Sequence, residues 1–251
     1  MESYATAQQV FGAGLLFARL ASIVMLIPGI GEAFIPARIR LSLALAMSIM
    51  LLPVVGPLIP AIPASVSGVA GAVIKETLIG MMIGAILRMF MGSLAVAGEV
   101  VSIQTTLSFA QTTNPSLGQP TPTLATFLGL LGIVLIMTTD LHHLFLSAIV
   151  RSYTIFPFTR AIQVGDAGQL AIQTVSSSCA LGIQLAAPVV VFSLVFNIAT
   201  GLVGRVMPQF QIFFVASPLM VLMGLSIFAL SLGIIGIVWL DRYHDLLKVF
   251  G

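Results

Sequence analysis

Hydrophobic positions dominate the chain, and the few polar stretches divide it. Apolar runs from Leu41 to Ile62, from Leu124 to Met137 and from Val206 to Leu240 together place the chain among integral membrane proteins rather than soluble ones. The first apolar stretch, about Val10 to Pro28, is expected to be helical and to end at Pro28, Gly29 and Gly31. A short connection, GEAFIPARIR, follows and carries Arg38 and Arg40. From Leu41 the pattern is apolar but punctuated by Pro53, Pro57, Pro60 and Pro63. A helix is expected there only to about Leu52, with irregular apolar chain beyond. A longer helical pattern returns from Ser65 to about Ile103, with Lys75, Glu76, Arg88 and Glu99 along it.

Between Gln104 and Thr123 the chain reads QTTLSFAQTTNPSLGQPTPT. Asn114-Pro115 signals a turn, and Gly118, Pro120 and Pro122 block regular helix. The stretch is polar, yet no charge occurs between Glu99 and Asp140. Chain free in water or against headgroups usually carries charge. Non-helical backbone at membrane depth is tolerated where protein buries it or where it lines a wet cavity. Two readings follow, a plug or constriction in a polar path and an ordinary connecting loop. Leu124 to Val150 is apolar up to Thr138 and then reads TTDLHHLFLSAIVRSY. Phe156-Pro157 breaks the chain, and Arg160 to Gly168 reads as a linker. A long helix is expected from Gln169 with Pro188 inside it. Gly201, Gly204 and Pro208 then mark a tight turn, and a last helix runs from about Phe213 to Leu240 before a polar tail. The last two helices read as one hairpin.

Composition agrees with the pattern. With 59% hydrophobic and 7% charged residues and a mean hydropathy of +1.15, the expected class is an all-α, multi-pass membrane fold with broken helices. A net charge of +2 from scattered basic residues gives no nucleic-acid footprint. The single Cys179 excludes an intrachain disulfide and reads as a small packed residue. No basic region precedes the first apolar run, so a cleaved signal is not expected.

Candidate chemistry is sparse. Arg19 lies inside an apolar run, where a charge costs roughly 2.5–3.5 kcal/mol on insertion scales, so it should meet a carboxylate or helix-end carbonyls. Gly80 and Gly84 form a G-x-x-x-G step that allows close helix approach. Asp140, His142 and His143 resemble a metal set, but adjacent positions on a helix do not face each other, and no metal or cofactor is expected. An enzyme would need a nucleophile with a base, paired carboxylates or a metal set, and none is assembled by the spacing. A small-solute transporter is the alternative that broken helices and charges at depth suggest, although no internal repeat supports it.

Three segments together resemble the flagellar biosynthetic protein FliR family and its type III secretion counterparts. The first is FARLASIVMLIPGIGEAFIPARIRLSLALAMSIMLLP, from Phe17 to Pro53. The second is LSFAQTTNPSLGQPTPTLATFLGLLGIVLIMTTDLHHLFLSAIVRSYTIFP, from Leu107 to Pro157, in which His142 stands where the family usually has Gly and His143 is the matching residue. The third is AAPVVVFSLVFNIATGLVGRVMPQFQIFFVASPL, from Ala186 to Leu219. The resemblance implies an export-gate subunit in the bacterial inner membrane at the flagellar basal body. Its partners would be FliP-like and FliQ-like gate subunits and FlhB-like and FlhA-like export components, and its substrates unfolded exported proteins. It also implies a FliP-like part, about 1–165, followed by a FliQ-like hairpin, about 166–251. The pore plug would comprise Phe109, Gln111, Asn114, Pro115, Ser116, Gly118, Gln119 and Pro120. Packing between subunits would fall to Arg19, Arg38, Arg40, Gly80, Gly84, Arg205, Pro208 and Gln209, with the last three at a hairpin tip.

Overall fold

A computed structural model describes residues 2–108, 123–159, 164–207, 209 and 212–250. All regular structure among them is helical. The helices are α1 (Glu2–Leu26), α2 (Ala37–Val55, continued by a 3-10 turn, Gly56–Leu58), α3 (Val66–Gln104), α4 (Thr123–Thr138), α5 (Leu141–Ile155), α6 (Val164–Val206) and α7 (Ile212–Phe250). Among the described residues, five helices are long and apolar enough to cross a membrane, and the broken pair α4–α5 makes a sixth if it counts as one span. The fold is thus an all-α multi-pass membrane fold.

Three boundaries differ from those expected. Helix α2 continues through Pro53 to Val55, and the Gly56 amide still reaches the Leu52 carbonyl. A proline in a helix's last turn removes one bond there and leaves the turns behind it intact. Helix α6 begins at Val164, so the polar segment before Gln169 is partly helical. Helix α7 does not stop at Leu240 but runs to Phe250. The sequence DRYHDLLKV contains no helix breaker, and Trp239 and Tyr243, four residues apart, are fully buried and stacked 5.0 Å apart. Between α4 and α5 the break falls at Asp140, which takes left-handed backbone with φ 57°. Asp is one of the few residues that adopt it readily.

The chain forms two compact units. One comprises residues 1–90, 136–175 and 244–251. Its core gathers Leu15, Leu16, Val55, Tyr153 and Phe158, and a second cluster joins Ile86 and Ala148 to Leu170 and Leu246. Helices α1 and α3 touch along the G-x-x-x-G step. A side chain at Gly80 would run into the Arg19 carbonyl and Ser22, and one at Gly84 would come within 2.7 Å of Leu26 Cβ. The close approach these glycines allow is therefore made to α1 of the same chain.

The other unit comprises residues 91–135 and 176–243. Glycines again set its spacing. Gly98 lies against the Ala125 backbone, Gly182 against the Ser93 carbonyl and Val96, and Gly224 against Thr105. Trp239 donates its indole N–H to Ser93 Oγ at 3.1 Å, and Phe127 meets Phe228 edge-on at 6.5 Å.

Replacing Gly80 with valine is expected to lower stability by about 1–3 kcal/mol or more, because the neighbour is backbone and cannot move aside cheaply. Gly71, on the same helix, has open space around it. Gly71→Ala should be neutral or stabilise by up to about 1 kcal/mol. Melting in detergent with both variants measures the difference; equal melting temperatures would refute the tight α1–α3 contact.

Candidate functional site

The most polar point in the apolar interior is a clamp on the end of α5. Arg19 of α1 is 0% exposed and Glu76 of α3 is 1% exposed, and their Nε–Oε2 separation is 2.6 Å. Arg19 Nη1 donates to the Ser152 carbonyl at 2.9 Å and to Ser152 Oγ at 3.3 Å. Nη2 donates to the Phe156 carbonyl at 2.9 Å. The guanidinium lies 4.2 Å from the centre of the Tyr153 ring and 5.4 Å from that of Phe158. Lys75 adds a second cation, with Nζ 2.6 Å from the Phe158 carbonyl.

The local sequence explains the arrangement. Phe156-Pro157 ends α5, and the last turn of a helix leaves carbonyls without intrahelical donors and a partial negative charge. A planar fork of five donors can serve a carboxylate and two carbonyls at once, which the point charge of a lysine cannot. The carboxylate and the helix-end carbonyls expected for Arg19 are both present, and both belong to its own chain. Glu76, Lys75 and Ser152 were not singled out from the sequence. The signal for Glu76 was an acid inside an apolar run, shared with Glu99; Glu99 is exposed.

A second basic cluster folds the α1–α2 connection. Arg40 Nη1 and Arg88 Nη1 both donate to the Gly31 carbonyl, at 3.2 and 3.4 Å. Arg88 also lies 3.7 Å from Glu32. Gly29, at φ 87°, makes the turn possible. Arg38 is exposed.

Phe109, Gln111, Asn114, Pro115, Ser116, Gly118, Gln119 and Pro120 lie outside the described residues, as does Pro208. The flanks of the uncharged stretch are described. Ser193 Oγ of α6 donates to Gln104 Oε1 at 2.7 Å. Thr105 packs on Gly224 of α7, and Thr106 takes left-handed backbone with φ 59°. On the other flank Ala125 packs on Gly98. A cavity of about 310 Å³ opens beside Thr106 and is lined by Asn197, Thr200, Gly204, Ser217 and Met220. At the α6–α7 turn, Arg205 and Gln209 are exposed, and Arg205 occupies the last turn of α6, where a cation is favoured.

At the start of α5 the adjacent histidines do not diverge as a regular helix interior would make them. The ring centres of His142 and His143 are 4.2 Å apart, and His143 Nδ1 is 3.8 Å from Asp140 Oδ1. The cause is the break at Asp140, which places the trio at a helix end.

Removing one partner of a buried ion pair typically costs about 3–5 kcal/mol, because the remaining charge is stranded. Arg19→Leu and Glu76→Leu should each do so, with membrane insertion unaffected and thermal stability and assembly reduced. The double variant should cost less than the sum of the two. Additive losses in a double-mutant cycle would show that Arg19 and Glu76 do not act as a pair.

Comparison with known proteins fits this architecture. Residues 10–246 match the family described as bacterial export proteins, family 1. The chain is 62% identical over 250 residues to the flagellar biosynthetic protein FliR of Caulobacter vibrioides, covering 100% of both chains. It is 28% identical over 236 residues to FliR of Aquifex aeolicus, covering 94% of this chain and 91% of that one. With FliR of Escherichia coli the identity is 27% over 214 residues, covering 84% and 80%. A full-length relative at this identity and a family match over nearly the whole chain establish that it belongs to the FliR family of bacterial export proteins.

Proposed function

We propose that the chain, a membrane subunit of the flagellar protein-export apparatus, forms part of the export gate in the bacterial inner membrane at the flagellar basal body. It joins FliP-like and FliQ-like subunits there and works with FlhB-like and FlhA-like components. Unfolded flagellar proteins pass through the assembled channel, and no side-chain chemistry is involved. Residues 1–165 act as the FliP-like part and 166–251 as the FliQ-like hairpin.

The observation that carries the assembly is helix length. The membrane-type helical stretches Gly168–Val206 and Val66–Gln104 are each 39 residues long, about twice the roughly 20 residues that cross a bilayer. At 1.5 Å per residue, such a helix is about 58 Å long against a hydrocarbon core of about 30 Å. Fitting it by tilt alone would need about 60°, well beyond the usual 0–40°. Apolar residues nevertheless face outward along α6 and α7, among them Val191, Leu194, Ile198, Leu222, Leu230 and Ile234. Helices twice the bilayer thickness in length, with apolar side chains facing outward, are suited to burial against other protein. A small-solute transporter would instead place its charges at depth toward a substrate, and here Arg19 is bonded to Glu76 and to α5.

In this reading the stretch from Phe109 to Thr123 contributes the plug. An uncharged, proline-stiffened polar segment can occupy a narrow wet channel without the cost of desolvating a charge, and can leave it without breaking ion pairs. Arg205, Pro208 and Gln209 form a hairpin tip at the cytoplasmic entrance or an adjoining subunit, and Arg38 lies at a contact with a neighbour.

Deleting Ser116 to Gln119 should leave complex assembly largely intact and make the membrane leak small ions. Conductance and yield of the assembled gate, measured together, test this; a deletion that assembles and stays as tight as the parent would mean the stretch is only a connection. Cysteine at Gln209 should react with a membrane-impermeant reagent from the cytoplasmic side. Labelling only from the opposite side would reverse the orientation.

A further inference from the structure

We propose that the break before α5 is a binding site for a first-row divalent transition metal, of the zinc type, held by Asp140, His142 and His143. One ligand atom from each of the three lies within 4.8 Å of the others. Two imidazoles and a carboxylate are a donor set that suits zinc and its neighbours, and three protein ligands leave a position open for water.

Two further observations point the same way. Asp140 occupies the position before the first helical turn, where an Asp side chain normally accepts a hydrogen bond from the helix amides, and here it makes no such bond. Its carboxylate is therefore not used by the helix. His142 Nδ1 is shut off from solvent and has no hydrogen-bond partner. A buried ring nitrogen without a partner is unfavourable, and a metal ion or a proton donor would relieve it.

Geometry allows closure. Zinc bonds of about 2.0–2.1 Å put ligand atoms roughly 3.3–3.5 Å apart in a tetrahedral site. Moving from the present spacing needs side-chain rotation of about an ångström. Asp140 and His143 are 77% and 66% exposed and free to make it. One effect opposes binding, since the start of a helix carries partial positive charge. That effect amounts to less than about tenfold in affinity at an exposed site, against the much larger contribution of three ligand bonds.

The test uses the full chain with any subunits that co-purify, without a polyhistidine tag, stripped with chelator and then titrated with Co(II) as a visible-absorbing stand-in for zinc. One Co(II) per chain, displaced by Zn(II), is expected. His142→Ala, His143→Ala and Asp140→Asn should each weaken binding at least tenfold. His244→Ala, which removes the chain's remaining histidine, should leave it unchanged. X-ray absorption of the unaltered protein with Zn(II) should show two imidazole ligands, which keeps the proposal testable if a variant does not fold. Absence of stoichiometric binding, binding indifferent to the three substitutions, or a shell without two imidazoles would each overturn it.

Discussion

A guanidinium sealed inside an apolar unit constrains everything around it. Arg19 cannot lose its proton and cannot reach water, so the fold must bring it an anion and enough acceptors. Those partners come from α3 and from the end of α5, so three helices that are far apart in sequence are tied at one point. The glycines of α3 belong to the same constraint. Gly80 lies against the Arg19 carbonyl, and only a residue without a side chain lets α3 come close enough for Glu76, one turn earlier, to meet the arginine. The clamp meets the chain where Phe156-Pro157 ends α5: the Ser152 carbonyl accepts from both the Phe156 amide and Arg19, and the Phe156 carbonyl, past the helix end, accepts from Arg19.

Much of this was legible in the sequence, and where it was not the reason is specific. Helix spans followed from apolar run length, because nothing else satisfies backbone polar groups in lipid. The demand that Arg19 be paired followed from its cost, but its partner did not. Pairing across 57 residues is a tertiary fact, and Glu76 and Glu99 were equivalent until burial separated them. The end of α7 was misplaced because hydropathy falls at Asp241 while helix propensity does not. Trp239 and Tyr243 bury one face and leave the polar residues outside. The two histidine rings lie closer than the spacing rule suggests, for a related reason. The spacing rule that separates neighbours holds in the interior of a regular helix, and the break at Asp140 is a helix end.

The second unit rests on a different principle. Ser93, Gln104 and Ser193 are among its polar contacts between helices, and close packing at Gly98, Gly182 and Gly224 brings its backbones together. Small residues bring backbones together where water supplies no driving force between helices, so contact area rather than hydrophobic exclusion holds such a unit together. The uncharged stretch has flanks seated on two of these glycines. One flank meets its glycine through the Thr105 side chain and the other through the Ala125 backbone.

The clamp also has a bearing on how the chain is made. Glu76 is 57 residues beyond Arg19 and the Ser152 carbonyl is 133 residues beyond it. At about 5–20 residues per second, synthesis leaves roughly 7 to 27 seconds between the arginine and its last acceptors. Through that interval α1 is a nascent apolar helix carrying an unpaired charge that costs roughly 2.5–3.5 kcal/mol on insertion scales. A hydrated or protein-lined setting lowers that cost until the later helices arrive. Biogenesis of this subunit is accordingly concerted: its first helix is among the first made and among the last to settle.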